Sequence, residues 1–304
     1  MVNKVLITGA TGYIAQQLLP TFRTQYQLVL VDVKRENRQG ERVDDVAVAD
    51  LIDMDRSKYA QLFDGVDAVV HLGYKRRSGE PLDHFFDEHQ NVIMAYNVLR
   101  CAYEAGVSRV AMASSNHAAD WYEHNLIHAR KLEVLDPYKL PLSDNFYGWA
   151  KATYEHLGFL FANGLGGFRD TSGRQSHVAN LATNRKMGVV MVRIGAPRQL
   201  DLSQYQNDVA NYKRDLGAYI SPRDLTQLFS KAIETPRIEN EHGIPWQVVY
   251  GISNNTRAFW SLANAREMLG YDPQDDSEVT FAEDIQRFLM AEGTAGGRVS
   301  GGQV

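Results

Sequence analysis

"LITGATGYIA", residues 6–15, joins a short β-branched run to the start of a helical pattern through two glycines three residues apart. Gly9, Gly12 and the small Ala15 follow a G-x-x-G-x-x-A spacing. Glycine permits a tight turn and lets backbone N–H groups approach a phosphate at a helix N-terminus. A small third residue lets the helix lie close on the strand. The first gap is one residue longer than in the G-x-G-x-x-G fingerprint, so the weight of the motif comes from its context, a strand before it and a helix after it. The reading is the first strand-turn-helix unit of a dinucleotide-binding sheet, with Gly9, Thr11, Gly12, Tyr13 and Ile14 against the cofactor. Pro20 predicts that the helix kinks or ends early.

Working outward, the same alternation repeats. β-Prone runs occur at 4–8, 27–33, 44–50, 67–72, 108–114 and 188–194, and stretches with helical spacing lie between several of them, most clearly at 82–106 and 145–164. Strand and helix in turn predict an α/β fold, a doubly wound parallel sheet. After Ile194 the pattern loosens, and residues 195–292, including a strand "PWQVVYGI", are expected to form a smaller substrate-binding lobe over the carboxyl edge of a 1–194 core. Residues 163–186 form a polar, glycine-rich insertion too long for an ordinary helix-to-strand connection. It reads as a surface loop or as a subunit contact or flap. The glycine-rich tail 293–304 is expected to be disordered.

Composition excludes several classes. With 44% hydrophobic residues among 304, the chain can bury a large core, and its net charge of -5 argues against a nucleic-acid binder. One cysteine, Cys101, makes no internal disulfide, and no leader segment precedes the first strand, so a cytoplasmic protein is expected. No apolar run approaches the roughly 20 residues needed to span a bilayer. His128, His156 and His177 lack metal-ligand spacing, so no metal is expected.

Asp32 ends the second strand about 20 residues beyond the glycines, where a carboxylate accepts hydrogen bonds from the adenosine ribose and repels a 2′-phosphate. NAD is therefore the expected cofactor, although Lys34 and Arg35 soften the rejection of NADP. Asp50 and Leu51 stand where an adenine would lie, or Asp50 merely caps a strand end. Leu72 and Gly73 complete the expected cofactor contacts.

"MASSNHAADWY", residues 112–122, crowds polar side chains at the carboxyl end of a buried strand, where open parallel sheets bind ligands. Further on, "YGWAK" places Tyr147 and Lys151 on one face of a helix. A phenol titrates near 10, but an adjacent ammonium and an oxidised nicotinamide both favour phenolate, which makes this pair suited to proton abstraction. Alone, such a pair is as readily a solvated helix face.

In this order and over the whole chain, "GATGYIA", "ASSNH" and "YGWAK" resemble the extended short-chain dehydrogenase/reductases, a Rossmann family with a Ser-Tyr-Lys catalytic set. The resemblance implies Tyr147 as base, Lys151 as its helper and Ser115, rather than Ser114, as the hydroxyl that holds the reacting oxygen. "SSNH", "VRIG" (192–195) and "VYGISNNTRAFW" (249–260) are similar to the aldose 1-dehydrogenase branch, the uronate dehydrogenases and NAD-dependent glucose-6-phosphate dehydrogenases. That likeness implies oxidation of an anomeric carbon to a lactone, with Asn116 and His117 on the sugar ring. Asn116 could instead cap a turn, and His117 could be a packing histidine. Asn91 would support the lysine through water, or simply pack a helix.

The loop "HLGYKRRSGEP" (71–81) departs from the branch by carrying Lys75, Arg76 and Arg77. It is either solvated surface or a site for a phosphate, carboxylate or sulfonate. Arg193 is a second anion candidate. The expected partners are an anionic sugar and further copies of the chain, with no nucleic acid and no membrane. A sugar-nucleotide epimerase or dehydratase, and a non-catalytic NAD sensor, are the alternatives.

Overall fold

Apolar side chains stand on both sides of every central strand, as a parallel sheet covered by helices on both faces requires. The computed structural model describes residues 2–164, 185–206 and 208–289. Its seven strands are β1 (Lys4–Thr8), β2 (Gln27–Asp32), β3 (Val46–Val48), β4 (Ala68–His71), β5 (Arg109–Ser115), β6 (Gly188–Ile194) and β7 (Trp246–Gly251). They form one parallel sheet in the order β3-β2-β1-β4-β5-β6-β7.

Successive residues of a strand feed opposite cores. Val5, Ile7, Ala68, Val70, Ala111, Val190 and Val192 face one cluster, and Leu6, Val69, Val110, Met112, Val189 and Met191 face the other. The helices, in chain order, are α1 (Tyr13–Gln25), α2 (His84–Glu104), α3 (Asp120–Tyr122), α4 (Phe146–Ala162), α5 (Val209–Ala218), α6 (Pro222–Glu234), α7 (Ala263–Leu269), α8 (Ser277–Thr280) and α9 (Ala282–Leu289). Leu18 and Phe22 of α1 and Leu225, Leu228 and Phe229 of α6 cover the first face. Val98 and Leu99 of α2 and Ala150, Tyr154 and Phe161 of α4 cover the second. Each such side chain contributes roughly 1.5–3 kcal/mol by leaving water, which makes the sheet a rigid platform for the loops at its edge.

Three expectations change. Helix α1 runs on to Gln25 through Pro20, which lies on the exposed face, where water can serve the carbonyl that its missing N–H leaves unpaired. Strand β7 does not belong to a separate lobe: Val249 and Tyr250 join one core and Val248 the other, in register with β6. Its apolar run meets the same two-sided burial as its neighbours, and α6 is the crossover helix that returns the chain to the sheet. The smaller lobe is therefore built from separated stretches, with Leu200, Tyr205, Tyr212, Leu216, Tyr219 and Phe281 as its core. Most of the 163–186 insertion, including His177, and all of the 293–304 tail lie outside the described residues.

Candidate active site

Strand order reverses direction between β1 and β4, and the loops leaving these two strands open a crevice there. Gly9 turns the chain with φ +66°, and a Cβ on it would stand 2.7 Å from Gly73 N and 2.8 Å from the Leu72 carbonyl. Only glycine allows the two loops to meet so closely. Gly12 caps α1 with no side-chain hydrogen bond, so the first N–H groups of that helix face the crevice without a competing cap.

Asp32 ends β2 beside this turn. Its Oδ2 accepts from Thr11 N at 2.9 Å and Thr11 Oγ1 at 2.8 Å, and its Oδ1 from Val33 N at 2.7 Å. The side chain is thereby aimed before any ligand arrives. Tyr13 carries the Arg38 guanidinium over its ring at 5.5 Å, and Ile14 packs on the first core. Asp50 accepts from Ile52 N at 3.0 Å and so caps its turn, while the Leu51 side chain is buried in the second core. A phosphate cradle with a carboxylate at the next strand end fits a dinucleotide such as NAD.

Helix α4 carries Tyr147 and Lys151. A Cβ on Gly148 would overlap the His117 carbonyl at 2.0 Å, so the glycine in "YGWAK" is what lets α4 touch the end of β5. Asn145 caps the helix by accepting from Gly148 N at 2.9 Å. This contact sets Tyr147 near Ser115, whose hydroxyl favours its phenolate. Ser114 turns the other way and donates to Glu155 at 2.8 Å.

Lys151 is buried and donates to Ala113 O at 3.0 Å, with its ammonium over the rings of Tyr154 (4.5 Å), Tyr74 (5.4 Å) and Tyr147 (5.6 Å). Burial pulls its pKa down to about 8, against the charges of Glu88 and Glu155, which raise it. Burial likewise pushes Tyr147 up to about 12; the Ser115 hydroxyl and Arg77 pull it down, while Glu88 and Asp120 raise it. His117 shares a 2.6 Å bond with Asp120, which also accepts from Asn145 at 3.0 Å. A carboxylate only accepts, so His117 Nδ1 donates to Asp120 and Nε2 is the ring nitrogen that this bond does not use.

Several expected roles are corrected. Arg193 is buried and forked onto Glu155 at 2.8 and 2.7 Å, with Tyr250 OH at 3.0 Å, so its guanidinium is spent inside the protein. Lys75 pairs with Asp87 at 3.0 Å and with Gln90, both on α2. Asn116 is buried, with its side-chain amide between Ile194 O and the Arg214 guanidinium. Asn91 holds the loop after β4, bonding Lys75 N and O at 2.7 and 2.9 Å. Arg76 is exposed and has no partner among the described residues, whereas Arg77 lies over the Tyr147 ring at 5.5 Å.

Sequence reasoning missed Arg214, on α5. It forks onto Glu123 at 2.8 and 3.1 Å, meets Asp215 at 3.1 Å and crosses the Trp260 ring at 5.3 Å. Glu123 opens a π-helical turn (Glu123–Ile127) in 112–127, and no spacing rule links it to a residue 91 positions away. Among the described residues, no cluster of His, Cys, Asp or Glu could hold a metal ion, and no helix is long and apolar enough to cross a membrane.

Residues 5–189, from the glycine turn through the catalytic helix, match the NAD dependent epimerase/dehydratase family. The chain belongs to that family. It is 33% identical to the NAD-dependent glucose-6-phosphate dehydrogenase of Haloferax volcanii, over 92% of this chain and 97% of the relative. It is 28% identical to the uronate dehydrogenase of Pseudomonas syringae pv. tomato, over 91% of this chain and 84% of the relative. The crystal structure of a glucuronic acid dehydrogenase from Chromohalobacter salexigens shares the fold, with a TM-score of 0.70 at 23% identity, covering 99% of this chain and 92% of that one.

Proposed function

We propose that the protein oxidises the anomeric carbon of an anionic aldose to the lactone, with NAD as acceptor and Ser115, Tyr147 and Lys151 as the catalytic set. The observation that carries this reading is buried Lys151, bonded to Ala113 O with its ammonium 5.6 Å from the Tyr147 ring centroid, together with the Ser115 hydroxyl that favours the Tyr147 phenolate. Tyr147 takes the proton of the anomeric hydroxyl, and Ser115 holds that oxygen. Lys151, kept cationic by Glu88 and Glu155, favours the phenolate. Bound NAD supplies the hydride acceptor. His117 Nε2 bonds a ring hydroxyl. Asp32 binds the ribose, and the chain further assembles as a homo-oligomer.

Two relatives named for the oxidation of glucose 6-phosphate and of uronates support an aldose substrate. Exposed Arg76, on the loop after β4 next to Arg77, supports an anionic one, a uronate, a 6-phosphate or a 6-sulfonate. The test follows NADH absorbance with glucose, arabinose, glucuronate, galacturonate, glucose 6-phosphate and 6-deoxy-6-sulfoglucose. One anionic sugar should exceed its neutral parent at least about tenfold in kcat/KM, the scale of one charge-assisted hydrogen bond. Equal rates would remove the anionic part of the reading, and no NADH with any aldose would remove the oxidation itself. Net NADH release also separates this enzyme from an epimerase, which returns its hydride.

A further inference from the structure

Glu88 is wholly buried on α2, next to the site but outside the catalytic set. Its Oε1 accepts from Tyr74 OH at 2.8 Å and lies 3.6 Å from Arg77 Nε, and its Oε2 accepts from Asn91 Nδ2 at 3.2 Å. Two of these partners go on to touch Tyr147. The Tyr74 ring meets the Tyr147 ring edge to face with centroids 5.5 Å apart, and the Arg77 guanidinium stands 5.5 Å from the Tyr147 centroid. Asn91, by clipping both backbone groups of Lys75, fixes the loop that presents Tyr74 and Arg77. A buried carboxylate costs several kcal/mol in lost hydration unless partners compensate, and an apolar side chain would fill the same space more cheaply.

We propose that Glu88 and Arg77 are positioning residues for the reaction, a charge pair that brackets Tyr147, holds its ring through Tyr74 and sets the field in which it exchanges its proton. This rests on Tyr147 being the base. The groups that face Tyr147 are Ser115, His117 and Asp120 from the end of β5, Tyr74 and Arg77 from the loop after β4, Glu88 from α2, and Lys151 from α4. Arg77 favours the phenolate and Glu88 opposes it. Glu88 also holds up the pKa of Lys151, and the observable is the proton whose loss turns on kcat/KM as pH rises. Removing the negative charge makes that loss easier, and removing the positive charge makes it harder.

The experiment is the pH dependence of kcat/KM for the full chain with NAD and the best aldose, at fixed ionic strength. In Glu88→Gln the acid limb should move down by about one pH unit, in Arg77→Gln up by about one, and the double variant should return to within about half a unit of wild type. Arg77→Lys, which keeps the charge, should stay near wild type. A merely structural role would lower the rate without moving the limb in opposite directions. Shifts of the same sign, or none, would overturn the pair. If Glu88→Gln does not fold, Arg77→Gln against Arg77→Lys still decides, because equal limbs in those two reject the proposal. Tyr147→Phe separates the two levels: wild-type turnover in it would sink the assignment of the base, whereas an inactive Tyr147→Phe with unmoved limbs would sink only the pair.

Discussion

The glycine turn after β1 and the charged wall beyond β5 share one edge of the sheet, yet they are built in opposite ways. At the turn, backbone does the work: Gly9, Gly12 and Gly73 bring the main chain close, and Asp32 is aimed by groups within 21 residues of it. At the wall, side-chain charges do the work, and most are already answered by the protein itself. Arg193 meets Glu155, Arg214 meets Glu123 and Asp215, Lys75 meets Asp87, and His117 meets Asp120. A surface that recognises a polyphosphate can leave donors open. A surface that must manage a proton in low dielectric has to balance its charges, because each uncompensated one would shift its neighbours.

The largest effect should come from the residue that the wall serves. Tyr147→Phe should lower kcat by two to four orders of magnitude, roughly the range of general acid-base catalysis, while NAD(H) affinity, read by fluorescence titration, stays within about threefold. Loss of affinity together with rate would mean that the two walls are not separable, contrary to the comparison.

Glu123→Gln probes the wall as structure. Its carboxyl is held well below the ordinary range: burial opposes ionisation, but Arg214 and the bond from His128 outweigh it. A depressed folded-state pKa gives stability that is present above the unfolded value, near 4.3, and is lost as pH falls through the folded one. At pH 7 the variant should lose about 3 kcal/mol, the lower end for a broken buried pair because Asp215 stays beside Arg214. The gap in Tm between variant and wild type should narrow from pH 7 to pH 3. A constant gap would show that packing, not charge, is at stake.

The same contrast explains what could be read in the sequence. The turn, the strands up to β6 and the Tyr-Lys helix are local in the chain, so spacing and periodicity reveal them. Strand β7 was misplaced because its apolar run looks the same whether it closes this sheet or starts another unit, and only its register with β6 decides. Arg193 sits at a strand end, where ligands are expected, but its partner Glu155 lies on a helix 38 positions earlier. Arg214 and Glu123 are linked only by the fold. Lys75, Arg76 and Arg77 are adjacent in sequence, yet one goes to α2, one to solvent and one to the tyrosine ring. Charge runs disclose that cations are present, not which of them are spent.

Asp32→Ala tests the turn with a smaller effect. The carboxylate repels a 2′-phosphate, so wild type should prefer NAD in kcat/KM, and the variant should narrow that preference about tenfold. Exposed Lys34 and Arg35 keep the wild-type ratio from being absolute. A wild-type preference for NADP would break the reading of this wall.

The smallest effect is expected at Arg76, the member of the basic triplet that is exposed and without a partner among the described residues. Exposed ion pairs contribute only about 0.2–1 kcal/mol, and hydrogen bonds to charged groups that leave water contribute about 1.5–3. An exposed guanidinium that meets a bound anion lies between these regimes, so Arg76→Ala should cost about three- to tenfold in kcat/KM for an anionic aldose and spare the neutral parent sugar. The ratio of the two substrates is the measurement, because a general loss of activity would lower both. Long-range steering would give a similar ratio at low ionic strength but fade at 0.15 M, where the Debye length is about 8 Å, whereas direct contact persists. If the ratio does not move, Arg76 does not read the anion. The guanidinium left on this loop is then Arg77, over the Tyr147 ring and already facing Glu88 at 3.6 Å, and a neutral aldose becomes the substrate that such a balanced wall fits.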